Sequence, residues 1–302
     1  MRGPIVQSQF AFAVSAAKQI EELDYRHIRG IEDNNDICGV TSLGEELCIL
    51  YSIGDMGSVT LQIDLYSTSD FTFLYQFSLP GLSSAGIWDF TACEDFLDPC
   101  LFITNHKHRC LHKITRLGKH WPVTLWPLSY KPCGVTAVRC ERIIVACCED
   151  GLISNTGKLI ELNNQGESIR EIIIQSPISS LWKVWMLETG EYLVSYGGFW
   201  CARGDKVSTV NDSGKFTQSY GGGWLSSESD LLRGAHHIAV DSDGFVFVAD
   251  TVKHRIVLLN PSLQFVRAIA TGNYPALLHF DRNSQRLFVS HLYPIKVSVL
   301  QL

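Results

Sequence analysis

The sequence predicts an all-β fold, a six-bladed β-propeller, on three observations. A short apolar run bounded by turn residues recurs six times: LCILY from Leu47, LFITN from Leu101, IIVAC from Ile143, YLVSY from Tyr192, VFVAD from Val246 and LFVSH from Leu287. Leu47 and Leu287 lie 240 residues apart over five steps, a mean period of 48, which suits a repeat of four strands. The tetrapeptide Cys-Gly-Val-Thr occurs at Cys38–Thr41 and again at Cys133–Thr136, ahead of such a run both times. Finally, His237–Ala270 displays one whole unit, four β runs separated by an Asp-Ser-Asp-Gly turn, a basic loop and an Asn-Pro turn. One such meander cannot bury both its faces, so it needs stacked neighbours.

The recurring runs are read as second strands, buried on both faces. First strands precede them at 38–41, 86–90, 133–136, 181–186, 238–241 and 277–280; glycines near several of these fit strands that crowd a central channel, where backbone must approach backbone. Third strands follow at 59–65, 110–116, 158–163, 206–211, 255–260 and 296–302, and fourth strands at 71–79, 122–130, 168–176, 215–220 and 264–271. The sixth unit ends on its third strand and lacks a fourth, which would leave an open sheet edge. Residues 25–31 (YRHIRGI) alternate like the other fourth strands and are predicted to pair with 296–302, closing the ring. The propeller then spans 25–302, and residues 1–24 form an extension in which 16–23 suit a short helix or 10–14 an outer strand.

With 46% hydrophobic residues in 302, the chain has ample material for a large core. The net charge of −6 argues against whole-surface attraction to nucleic acid and leaves local patches open. No apolar run reaches the length of a membrane span. The opening MRGPIVQSQFAFAVSAA has signal-peptide features, but Gln7, Ser8 and Gln9 interrupt its apolar part, so a cytoplasmic monomer is expected. The ten cysteines sit mostly in strand-like runs without a Cys-x-x-Cys pair, which fits buried reduced thiols better than metal or disulfide chemistry. Asn211-Asp212-Ser213 is a glycosylation triplet of the kind that arises by chance.

Loops between second and third strands share one face with the connections between blades, and propeller function commonly lies there. These loops carry His106, Lys107, His108 and Arg109, then Phe199, Trp200 and Arg203, then Lys253, His254 and Arg255, then His291 and Tyr293. Aromatic rings that stack on bases, beside cations that hold a backbone, suit single-stranded RNA or an acidic peptide. Glu149, Asp150, Asp205 and Asp250 lie in the same loops and weigh against this, so ordinary solvated loop residues are the preferred reading, and Arg255 with Asp250 reads rather as an internal pair that fixes its loop. The insertion 221–233 contains Trp224, which either anchors a protein partner or folds back on its own blade.

His236 and His237 begin the first strand of their blade, and His279 lies in the corresponding strand of the next. A cation at the channel would need ligands from several blades, whereas the matching positions elsewhere read as Gly39, Gly86, Gly134 and Trp182. The Gly-Gly runs at 197–198 and 221–223 lack the Lys, Ser or helix of a phosphate loop, so neither a metal nor a cofactor is expected.

The order of residues in 237–270, apolar-Ala-Val-Asp followed by Val-Ala-Asp and Arg-Ile, resembles an NHL repeat. That resemblance implies a six-bladed propeller and, by analogy with tripartite-motif proteins, a non-enzymatic module that presents its loop face to a protein or single-stranded RNA, as the target-recognition part of a ubiquitin-ligase system. The chain shows no RING or B-box Cys/His spacing, so transfer activity would come from elsewhere. The opposed reading is a metal-dependent lyase or lactonase of the kind built on six-bladed propellers, with His237 and His279 beside a carboxylate at the channel mouth. A WD-repeat propeller is the weaker rival, since the Trp88-Asp89 pair lies in a first strand rather than at a blade end.

Overall fold

A closed ring of sheets needs every edge paired, and the described residues meet that need with 24 strands in six four-stranded antiparallel sheets. The computed structural model describes residues 18–301 apart from 25–35, 55–58, 83–85, 95, 139–140, 149–155, 176–177, 179, 198–204 and 223–231; of residues 18–24 it describes the backbone. Strand β1 (Lys18–Asp24) comes first. Blade 1 then comprises β2 (Ile37–Leu43), β3 (Glu46–Ile53), β4 (Thr60–Ser67) and β5 (Phe73–Leu79). Blade 2 comprises β6 (Ile87–Cys93), β7 (Cys100–Asn105), β8 (Cys110–Thr115) and β9 (Val123–Pro127). Blade 3 follows with β10 (Lys131–Val138), β11 (Arg142–Cys148), β12 (Gly157–Leu162) and β13 (Ser168–Ile173). Blade 4 holds β14 (Leu181–Met186), β15 (Tyr192–Tyr196), β16 (Lys206–Val210) and β17 (Phe216–Gly221), and blade 5 holds β18 (Ala235–Val240), β19 (Val246–Asp250), β20 (Arg255–Leu259) and β21 (Phe265–Ala270). Blade 6 supplies β22 (Pro275–Asp281), β23 (Arg286–His291) and β24 (Lys296–Gln301), and β1 completes it.

The ring is therefore closed by an N-terminal strand, but not by residues 25–31. Lys18–Asp24 runs antiparallel to β24, from Lys18 opposite Gln301 to Asp24 opposite Lys296. This places the closing strand inside the segment read as an extension and makes 18–23 strand rather than helix; residues 10–14 and 25–31 lie outside the described residues. An outermost strand is held mainly by its backbone ladder, so its side-chain pattern is a weak guide.

Each second strand is buried along almost its whole length because both faces meet apolar neighbours. Six hydrophobic clusters result, each shared by two adjacent blades. The cluster between blades 6 and 1 joins Val40, Leu47, Ile49 and Tyr51 to Phe288, Val297 and Val299, so the seam is packed as well as hydrogen-bonded.

Two features recur with the repeat. Asn163, Asn211 and Asn260 follow the third strands of blades 3, 4 and 5, and each side-chain oxygen accepts hydrogen bonds from backbone N–H groups two and four residues on. Every first strand also carries one extra residue near its start, between Ile37 and Gly39, Ile87 and Phe90, Pro132 and Gly134, Leu181 and Lys183, Ala235 and Ile238, and Pro275 and Leu278. Such bulges re-aim side chains, here those at the channel mouth. Channel crowding is visible at Gly134, where an added Cβ would lie 2.5 Å from the carbonyl oxygen of Trp182.

Candidate functional site

The bulges define two layers of first-strand residues around the channel. At the mouth stand Cys38, Trp88, Cys133, Trp182, His236 and Ala276; one residue deeper stand Gly39, Asp89, Gly134, Lys183, His237 and Leu277. The residues aligned with His237 are thus Asp89 and Lys183, rather than Gly86 and Trp182 as the sequence spacing implied. Each bulge adds one residue that strand spacing alone does not reveal.

The deeper layer carries a buried charge network. Lys183 Nζ lies 2.6 Å from Asp89 Oδ2 and donates also to the Val135 carbonyl at 2.8 Å. Asp89 Oδ2 accepts from the Val135 N–H, and Oδ1 accepts from the Phe90 N–H at 2.8 Å and faces His237 Nε2 at 3.2 Å. The Leu278 N–H donates to His237 Nδ1, so the imidazole proton sits on Nε2 and points at the carboxylate. Burial raises the Asp89 carboxyl, but Lys183 and His237 outweigh it and hold it below the usual carboxylate range. Burial, then Lys183, pushes His237 down, which keeps it neutral.

His279 accepts from the Ser42 N–H at Nε2 (3.0 Å), and burial pushes it down to about 4. The single lone pair of each histidine is therefore already engaged by a backbone N–H. This arrangement does not offer a cation the His237–His279 pair on which the lyase reading depends. Among the described residues, no three His, Cys, Asp or Glu side chains gather as a metal-binding group.

Above this network the mouth is aromatic. His106 stacks on Trp88 with ring centroids 4.5 Å apart, Trp88 on Trp182 at 5.2 Å, and Trp182 meets His236 at 5.1 Å, tilted by 53°. Trp182 Nε1 is anchored on the Gly197 carbonyl at 2.9 Å. The row crosses blades 2, 4 and 5 and continues through His236 Nδ1, 3.3 Å from Thr251 Oγ1, whose own proton goes to the Pro275 carbonyl. Burial pushes His236 down to about 4 and lowers His106, so both rings are neutral. Trp88 keeps 37% of its surface exposed.

Only some of the loop residues singled out from sequence join this row. His106 does; Lys107, His108 and Arg109 lie exposed on the same turn, and the Arg109 guanidinium donates to the Ser129 carbonyl at 3.4 Å. Lys253 ends a single 3-10 turn, Thr251–Lys253, that starts at the residue touching His236. Arg255 pairs with Asp250 through Nε at 2.8 Å, and Asp250 also accepts from the Arg233 N–H, so Arg255 fixes its loop. His254 packs on Tyr274, ring centroids 3.9 Å apart. His291 is buried and faces Ser298 Oγ at 2.9 Å, a structural role, while Tyr293 is 69% exposed. Phe199, Trp200, Arg203 and Trp224 lie outside the described residues. Sequence reasoning missed Trp88, Asp89, Trp182 and Lys183; the available signal was a charged residue inside each of the apolar stretches IWDF and LWKVWM.

No family model and no curated protein matches the chain. Solved structures do. A catalytically inactive virginiamycin B lyase from Staphylococcus aureus with quinupristin is 13% identical, with 93% of this chain and 98% of that one covered at a TM-score of 0.60. Kuenenia stuttgartiensis hydrazine synthase is 11% identical, covering 90% and 97% at 0.61. The Swd1 β-propeller domain of Myceliophteria thermophila is 11% identical, covering 88% and 83% at 0.55. Lyases, a synthase and a propeller domain share this architecture at such low identity, so the likeness shows the β-propeller fold alone.

Proposed function

We propose that the protein is a non-enzymatic binding module whose channel mouth and loop face hold a segment of a protein partner. The observation that carries this reading is the aromatic row His106, Trp88, Trp182 and His236, partly exposed above a network whose polar atoms satisfy one another. Rigid aromatic rings seated on a fixed platform are the usual anchors of protein recognition, and neighbouring cations on Lys107 and Arg109 favour an acidic segment. The eight cysteines among the described residues are free thiols, which suits a cytoplasmic setting. A target-recruiting role in a ubiquitin-ligase assembly follows from the NHL resemblance of 237–270 and would place transfer chemistry on another protein.

Selection from a random peptide display library, followed by titration of the enriched peptides, tests the reading. Trp88→Ala is expected to weaken such peptides at least about tenfold, the loss of a modest interface anchor. Enriched peptides indifferent to Trp88→Ala would move the site elsewhere. A parallel titration with random single-stranded RNA separates the other ligand class. Binding that falls steeply with salt and is lost when Lys107, Arg109 and Lys253 are neutralised would replace the protein reading with RNA.

A further inference from the structure

The bulge of blade 3 brings two thiols together. Cys133 is the extra residue of β10, and its Sγ lies 3.2 Å from Sγ of Cys148 at the end of β11. The two differ in setting. Cys133 is buried, whereas Cys148 is partly exposed where β11 leaves the sheet. The Cys133 S–H is within reach of both Cys148 Sγ and the Lys131 carbonyl oxygen, the latter at 3.7 Å. The contact with Cys133, together with a backbone hydrogen bond from Leu181 and the charge of Lys131, draws the Cys148 thiol down against burial, while Cys133 is pushed up. Cys133 Sγ also lies 3.8 Å from His106 Nδ1, at the base of the aromatic row.

We propose that Cys133 and Cys148 form an oxidisable dithiol that a hydroperoxide converts to a disulfide, with Cys148 as the attacking and Cys133 as the resolving thiol. In the first step the Cys148 thiolate attacks one peroxide oxygen; an S–O bond forms, the O–O bond breaks, sulfur loses two electrons, and the departing oxygen leaves as alcohol or water after taking a proton. In the second step Cys133 sulfur attacks Cys148 sulfur; the S–S bond forms, the S–O bond breaks, and hydroxide leaves with the Cys133 proton as water. The balance is two thiols and one hydroperoxide to one disulfide, one alcohol or water, and one water. Disulfides of cytosolic proteins are mostly transient and redox-sensing, which fits a pair placed beside a binding surface.

The chain supplies its own controls. Cys93 and Cys100 are directly opposite in β6 and β7 but both buried, and Cys147 is buried beside Cys148 in sequence. The test treats the full chain with hydrogen peroxide, alkylates remaining thiols under denaturing conditions and maps peptides by mass spectrometry. The expected product is a Cys133–Cys148 cross-link that a reductant reverses, with Cys148 consumed roughly tenfold faster than Cys147, as a thiolate outpaces a buried thiol. In Cys133→Ser the cross-link is absent and Cys148 accumulates as a sulfenic acid that a dimedone probe captures. Free Cys133 and Cys148 after oxidation, consumption no faster than Cys147, or a cross-link to other cysteines would each overturn the proposal. The wild-type map decides the matter even if a variant folds poorly.

Discussion

Asp89 is one carboxylate on which three blades depend. It binds Lys183 of blade 4, His237 of blade 5 and the Val135 N–H of blade 3 from its own place in blade 2. Removing one partner of a buried pair strands the other, at a cost of about 3–5 kcal/mol. Asp89→Ala should therefore lower the unfolding free energy measured by urea titration by that much, and Asp89→Ala/Lys183→Met should recover part of the loss. Acid sensitivity is also written at this scale. Burial brings His236, His279 and His291 to about 4 from an ordinary 6.5. Between those values the unfolded chain binds protons that the folded chain refuses, so the stability they contribute is intact above pH 6.5 and declines as pH falls towards 4. Asp241, raised by burial to about 6, opposes them, since the folded chain takes up its proton first between about 6 and 3.8. Three groups outweigh one. The melting temperature should fall from pH 7 to pH 4.5, and His279→Gln should flatten that slope.

Among the elements, legibility followed burial. The second strands were plain in the sequence because both faces are buried and each reads as a continuous apolar run. Fourth strands such as β13 expose most of their length, with Ile169 and Ile173 in solvent, so composition constrains them weakly. The same looseness made YRHIRGI a better-looking partner for β24 than KQIEELD, although the ladder uses KQIEELD. The candidate site was half legible for a different reason. The turn His106–Arg109 follows directly from strand order, but the irregular strand starts put Asp89 where Gly86 was expected and Lys183 where Trp182 was expected, which hid the buried pair. A chain starting at Tyr25 distinguishes the two closing strands. It lacks β1 and keeps 25–31, so β24 should present an open edge; a lower melting temperature and concentration-dependent association in light scattering are expected. A monomer with unchanged melting would return the closing role to 25–31.

At the scale of the molecule, the six clusters form a cycle, and this changes how damage spreads. In an open stack of repeats a cavity weakens its own unit and neighbour, and distant units keep their local stability. In a closed ring every blade has two packed neighbours, and blades 6 and 1 are joined by both the β1–β24 ladder and a shared cluster. Opening one interface exposes its cluster without freeing a terminal unit, so partial unfolding gains little chain entropy for the burial lost. Phe102 tests this. It is fully buried between blades 2 and 3, among Phe96, Trp126, Val135 and Val145, two interfaces from the seam. Phe102→Ala should cost about 3–5 kcal/mol through the cavity it leaves. If the ring unfolds as one unit, native-state hydrogen exchange should report that same loss for the slowest amides of β19 and β23 as for those of β7 and β11. A loss confined to β7 and β11 would mean that the blades open independently and that the seam contributes pairing without cooperativity.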